Sequence, residues 1–192
     1  HYWARELTKL GHTVKLMTPQ YVAPYRRGGK NDANDAEAIC EAVARPNMRF
    51  VAVKSESQQA VLVMHRMRDQ LVHERTALMN QIRSYLHEFG IVIAQGRAPL
   101  AKIFPIIDED TQLPLLLRQS IAELADRLAD LERRIQILDQ RISAWSKQDN
   151  AAKALLTLCG VGPVTASAAV ATAGNVAVFK NGREFAAWLG LV

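Results

Sequence analysis

The stretch LRQSIAELADRLADLERRIQILDQRISAW, residues 117–145, decides the architecture of this chain. Its large apolar residues recur at alternating spacings of four and three. They are Leu117, Ile121, Leu124, Leu128, Leu131, Ile135, Leu138, Ile142 and Trp145. Such heptads predict a coiled-coil helix, because the apolar positions form one seam along one side. At a rise of about 1.5 Å per residue, the helix would be roughly 50 Å long.

A second long amphipathic helix is predicted before it, from Ser55 to about Phe89, with apolar residues close to a 3.6-residue period. The segment Gly90–Thr111 contains glycines, prolines and an acidic run, which predict a reversal or loop with one short helix. The heptad seam has two possible packing partners, because heptads alone do not determine the partner. The seam could pack on the preceding helix as an antiparallel hairpin, or on a second chain as an oligomerisation arm.

The first 54 residues have a different pattern. A helix from Tyr2 to Leu10 ends at Gly11, and Val14–Met17 then has the composition of a short strand. Another helix should open at Asn31 or Asp32 and run to about Ala44, and Phe50–Val53 is a plausible last strand. The chain is therefore expected to be mainly α with a small α/β part.

The helix start KNDAND, residues 30–35, is the first candidate for chemistry. Asp32 and Asp35 are three residues apart, so on a helix both carboxylates project from one face and can share a divalent cation. The alternative is that they only complement the free amides of a helix N-terminus, and spacing alone favours this simpler role. Arg26, Arg27 and Lys30 stand just before them, as phosphate contacts or as a solvated loop.

The second candidate is LLTLCGVGPVTA, residues 155–166. A helix, a turn containing Gly160, Val161 and Gly162, and another helix describe a helix-hairpin-helix element, whose turn amides can hold a DNA phosphate. Lys153 could add positive charge beside it. The competing interpretation is an ordinary corner between two helices.

Composition points to polyanion partners at both ends of the chain. Of the net charge of +5, residues 1–54 carry +4, with nine Lys/Arg against five Asp/Glu, and residues 151–192 carry +2, with three against one. Cys40 and Cys159 are too far apart in sequence to suggest a zinc site or a disulfide framework. Glycines and a proline interrupt the long uncharged stretch from residue 154 to 179, so no membrane association is expected, and the cysteine spacing fits a reduced, cytoplasmic setting.

Several motifs together resemble the DEDD transposases of bacterial insertion sequences, the family of RNA-guided recombinases that use a bridge RNA. The resemblance covers essentially the whole chain. Its motifs are specific when taken together, but no single motif would be. The motifs are HYWAREL (1–7) with Gly11-His12, PQYV (19–22), Lys30-Asn31-Asp32 with Asp35-Ala36, GVGP (160–163) and FAAWLGL (185–191).

The resemblance implies a RuvC-like, RNase H-type fold in which four acidic residues bind Mg²⁺ or Mn²⁺, and Asp32 and Asp35 match the last two. It reverses the preference for the simpler role of these carboxylates. It also implies that the other two acids lie upstream and a serine nucleophile downstream, so that this chain is an interior fragment, inactive alone. The implied partners are DNA, a guide RNA and a second copy bound through the coiled coil, and the implied location is the bacterial cytoplasm, at the nucleoid.

The predicted domains are the C-terminal part of a RuvC-like domain (1–54), a coiled-coil hairpin (55–150) and the start of a C-terminal transposase domain (151–192). The expected function is metal-assisted DNA strand cleavage and rejoining in transposition. The alternative is a non-catalytic, coiled-coil DNA-binding scaffold in which Asp32 and Asp35 serve only the helix end.

Overall fold

The structure is a computed structural model and describes residues 1–174, 179–188 and 190. It confirms a mainly α chain. Its helices are α1 (Tyr2–Lys9), α2 (Pro19–Val22), a 3₁₀ turn (Ala23–Tyr25), α3 (Asp32–Val43), α4 (Glu56–His87), α5 (Arg97–Glu109), α6 (Leu115–Ser146), α7 (Asn150–Leu156), α8 (Pro163–Ala173) and α9 (Gly182–Trp188). None of these helices is long and apolar enough to cross a membrane.

The chain divides into two compact units. The first combines His1–Gln59 with the described residues from Ala169 onward, and the second is Ala60–Ala168. These two units do not test the three domains expected from the sequence, whose bounds remain a prediction.

The predicted strands are much shorter than expected. Val14–Met17 and Phe50–Val53 meet only at Leu16 and Val51, in an isolated antiparallel bridge where the Val51 amide donates to the Leu16 carbonyl at 2.7 Å. A strand pair needs further strands, or a helix packed on it, to become a stable sheet. The described residues supply no third strand, so the RNase H-type sheet stays a prediction.

The helices of the first unit begin and end close to the predicted residues. After α1, Gly11 adopts a φ of +89° and the His12 amide donates to the Leu7 carbonyl at 3.1 Å, which is a glycine-ended helix terminus. Helix α3 begins at Asp32 and ends at Val43. It stops shortly before Pro46, because the residue preceding a proline disfavours the helical conformation.

The heptad seam of α6 packs within the chain. Ile121, Leu128 and Leu131 share one buried cluster with Leu86 and other residues of α4. The two helices run antiparallel, because Arg68 near the start of α4 pairs with Asp139 near the end of α6, whereas Leu86 at the end of α4 belongs to the same buried cluster as Ile121 near the start of α6. The intrachain hairpin is therefore present, and pairing with a second copy stays a prediction.

The segment between the long helices contains more structure than predicted. Helix α5 takes up most of it and contains Pro105. Its Leu100 and Ile107 are almost completely buried in the cluster shared with α4 and α6. Burial of this apolar face offsets the backbone hydrogen bond that a proline removes from a helix.

Candidate functional site

The loop before α3 is built so that its two aspartates are not needed as caps. Asn31 is the N-cap residue, and its side-chain oxygen accepts from the Asn34 amide at 2.8 Å. The Asn34 side chain in turn donates to the Gly29 carbonyl at 2.7 Å. Asp32 and Asp35 follow in the first turn, where the amides and the helix dipole favour negative charge.

The two carboxylates have different surroundings. Asp35 is half-buried, and its Oδ1 lies 3.4 Å from Nη1 of Arg26, which reaches over from the preceding loop. Asp32 is exposed, and within the described part of the chain no side chain pairs with it. The acidic helix start is therefore one free carboxylate beside one held by an arginine.

The basic residues predicted to bind phosphate lie around this helix start. Arg26, Arg27 and Lys30 are all exposed. Arg26 pairs with Asp35, and Arg27 borders a shallow recess that Tyr25 and Glu37 also line. All three guanidinium and ammonium groups are accessible to a polyanion, although Arg26 must first leave Asp35.

Two carboxylates make an incomplete metal site. Over residues 1–174, 179–188 and 190, no three His, Cys, Asp or Glu side chains come together as a metal-binding group. Asp32 and Asp35 nevertheless offer the hard oxygen ligands that Mg²⁺ prefers, and such sites commonly use one or two protein carboxylates with substrate phosphates and water. The residues present fit part of a magnesium site.

The predicted hairpin has its expected elements, namely α7, a tight turn and α8. Gly160 adopts a φ of +83°, a conformation that residues with a side chain rarely take, and the Val161 amide donates to the Leu158 carbonyl at 3.1 Å. Gly162 does not adopt a positive φ, and a Cβ added there, as at Gly160, would meet nothing within 4 Å. The turn thus requires glycine at 160, while Gly162 leaves open space in front of α8. Lys153 is exposed in the last turn of α7.

Sequence reasoning missed three polar residues that hold this hairpin. Ser146 and Ser167 are fully buried, and His65 of α4 lies 2.9 Å from the Ser167 hydroxyl. One signal could have revealed Ser146, because it follows Ile142 by four residues and so continues one side of the α6 seam. A serine there interrupts an apolar row, and a buried hydroxyl needs a partner.

Two family models match the chain over segments that contain the two candidate regions. The DEDD-type transposase model of IS110 matches residues 1–91, which include Asp32 and Asp35, and the model of the transposase IS116/IS110/IS902 family matches residues 152–192, which include the Gly160 turn. The chain belongs to the IS110/IS116 family of insertion-sequence transposases. Of the FAAWLGL motif that contributes to the family resemblance, Phe185–Trp188 lie in α9. Leu189 and Leu191 lie outside the described residues.

Relatives in this family match the chain over its whole length. A probable family 20 transposase of Pseudomonas aeruginosa is 50% identical, and the chain spans 58% of it. A putative transposase of Sinorhizobium fredii is 43% identical, with 49% of its length covered. The transposase for insertion sequence element IS1328 of Yersinia enterocolitica is 38% identical, with 57% covered. The chain thus spans about half the length of these relatives, and no solved structure matches it.

Proposed function

We propose that this chain is part of a transposase that cleaves and rejoins DNA strands, and that Asp32 and Asp35 supply part of its metal site. The observation that carries the proposal is the cap at Asn31, which accepts from the Asn34 amide, so that neither aspartate serves as the cap and only Asp35 has an ion-pair partner, Arg26. Their place inside the region matched by the DEDD-type family model supports it. A bound Mg²⁺ or Mn²⁺ would polarise the scissile phosphate and stabilise the charge that develops on it.

The residues of this chain would prepare that chemistry. Asp35 would hold the cation in place of its ion pair with Arg26, and the guanidinium would then be free to bind a phosphate of the same DNA. Arg27 and Lys30 add exposed positive charge beside the carboxylates, which favours DNA over neutral ligands. RuvC-like architecture, a bridge RNA and an oligomer joined by the coiled coil belong to the same proposal.

The second part of the proposal is a phosphate contact at the Gly160–Gly162 turn. The first amides of α8 have no partner within their own helix, and Gly162 leaves space for close approach of a phosphate. Lys153 adds a positive charge at the end of α7. Such a contact reads no base sequence, so it would position DNA without choosing the target.

Strand cleavage by the full-length protein that contains this chain tests the enzymatic proposal. Asp32→Asn and Asp35→Asn should each lower the cleavage rate at least a hundredfold in Mg²⁺, since each removes a ligand charge at the reacting centre. The matched control is Glu123→Gln with Asp126→Asn, an exposed acidic pair with the same spacing on α6. Equal loss in the control, or cleavage unchanged in both aspartate variants, would contradict the assignment.

One observation favours a second candidate, a DNA-binding scaffold without catalysis. Asp35 is already paired with Arg26, as expected of a carboxylate with a structural role. On that account the aspartate variants lose folding stability but bind duplex DNA as well as the parent chain does. The cleavage experiment separates the two candidates.

A further inference from the structure

Two buried serine hydroxyls converge on one backbone carbonyl. Ser146, in the last turn of α6, places its hydroxyl 3.0 Å from the carbonyl oxygen of Pro163. Ser167, in the second turn of α8, places its own hydroxyl 2.7 Å from the same oxygen. Both serines have a relative exposure of 0%. Water does not reach these hydroxyls, so the loss of either bond is not compensated by a bond to solvent.

The protons in this cluster can be assigned from the donors available. A serine has one hydrogen, and if Ser167 donates it to the Pro163 carbonyl, its oxygen is left to accept. His65 lies 2.9 Å away and then donates from Nε2. Burial lowers the pKa of His65, and the nearby positive charge of Arg68 lowers it further, so the ring is neutral near pH 7 and carries its one hydrogen on Nε2.

The cluster joins three helices at one point. His65 belongs to α4, Ser146 to α6, and Pro163 and Ser167 to α8. Ser146 also lies 2.8 Å from the Ile142 carbonyl, so its single hydrogen is shared between its own helix and α8. Pro163 is the first residue of α8 and directly follows Gly162. The cluster thus holds the residue from which the hairpin turn emerges.

We propose that Ser146, Ser167 and His65 are positioning residues that fix the first turn of α8 on the two long helices and so set the direction in which the Gly160–Gly162 turn faces DNA. This proposal rests on the phosphate contact proposed above. It explains why buried polar residues occupy an otherwise apolar contact. A fully satisfied polar cluster permits one arrangement of the three helices, whereas apolar contacts alone tolerate sliding.

Two measurements on the full chain test the proposal. The first is hydrogen exchange of the α8 amides, beginning at Ala166, whose amide bonds to the Gly162 carbonyl at 2.9 Å. Ser146→Ala and Ser167→Ala should each speed this exchange roughly fivefold, the effect of about one lost hydrogen bond. The second is binding of a fluorescein-labelled DNA duplex, which should weaken by a similar factor in the same variants.

Ser120→Ala is the matched control. Ser120 lies on the same helix and makes the same kind of bond, to the Leu116 carbonyl at 2.8 Å, but it is exposed at the other end of α6. Neither measurement should change in this variant. His65→Gln, which can place an amide donor near the position of Nε2, should keep both properties, whereas His65→Leu should lose them.

The outcomes separate this proposal from the one on which it rests. Unchanged α8 exchange in both serine variants, or equal effects in Ser120→Ala, overturns the positioning role. Faster exchange with unchanged duplex affinity contradicts its link to DNA. A parent chain that does not bind duplex at all overturns the proposed phosphate contact, and the exchange results then decide the positioning role alone.

Discussion

Arg26 and Asp35 form an ion pair across the start of α3, with Nη1 and Oδ1 3.4 Å apart. The same carboxylate is a proposed metal ligand, so the arginine and the cation compete for it. A guanidinium and a divalent cation about 4 Å apart repel each other by about 2 kcal/mol even in a water-like dielectric. The pair therefore holds Asp35 in place while no cation is bound and opposes cation binding.

Arg26→Gln should consequently strengthen Mn²⁺ binding to the chain up to about thirtyfold, the factor that corresponds to about 2 kcal/mol. Electron paramagnetic resonance of free Mn²⁺ measures the affinity. The control is Arg27→Gln, another exposed arginine of the same loop that makes no ion pair with Asp35. Weaker Mn²⁺ binding in Arg26→Gln would show that the arginine supports the site instead of competing for it.

Asn31→Ala should lower the free energy of unfolding by about 1 kcal/mol, because the Asn34 amide loses its side-chain acceptor at the helix start. Urea denaturation followed by circular dichroism measures the change. Asn31→Asp keeps an acceptor at the N-cap and should remain within a few tenths of a kcal/mol of the parent. A loss as large in Asn31→Asp as in Asn31→Ala would contradict the capping role.

Gly160→Ala and Gly162→Ala should differ in their effect on stability. Alanine at 160 must adopt a φ of +83°, which costs about 1 kcal/mol or more. Alanine at 162 meets nothing within 4 Å and should fold as the parent does. Thermal unfolding compares the two, and a larger loss at 162 than at 160 would contradict the described turn.

Acid should destabilise the chain in part through His65. Its pKa is lowered in the folded state, chiefly by burial and then by Arg68, which itself pairs with Asp139. Below the unfolded pKa of about 6.5, the unfolded chain therefore binds more protons at this position than the folded one. Stability from this group is complete above that pH and falls as the pH drops towards the folded pKa.

Unfolding measured from pH 7.5 to 5 should show this loss in the parent, and His65→Gln should show a smaller pH dependence over the same range. His73→Gln is the control, because His73 is exposed on the same helix and its ring faces the Asp69 carbonyl of its own helix. An equal reduction of the pH dependence in both variants would contradict His65 as the source of the acid destabilisation.

The elements that the sequence predicted well are those with local signals. The bounds of α3 follow from a capping residue and a proline, and the buried seam of α6 follows from heptad spacing, with Ile142 fully buried. The helix that packs on this seam could not be predicted, because a heptad pattern requires an apolar partner but does not determine which helix provides it. Only the three-dimensional structure placed α4 and α5 on that seam.

Non-local features were predicted poorly. The two predicted strands pair only at Leu16 and Val51, 35 positions apart, because a local strand pattern does not determine which elements pair with it or how far the pairing extends. The cluster of Ser146, Ser167 and His65 depends on three helices meeting, and serine and histidine at those positions look like ordinary polar residues. The aspartate pair was found from spacing, but the ion pair to Arg26 was not.

Asp32 and Asp35 are proposed to hold one divalent cation together. Isothermal titration calorimetry with Mn²⁺ tests this shared binding in three proteins. They are the parent chain, the double variant Asp32→Asn with Asp35→Asn, and the spacing-matched double variant Glu123→Gln with Asp126→Asn. We expect the Asp32/Asp35 variant to lose the strongest Mn²⁺-binding event and the Glu123/Asp126 variant to retain it. Superimposable titration curves for the parent chain and the Asp32/Asp35 variant would contradict it.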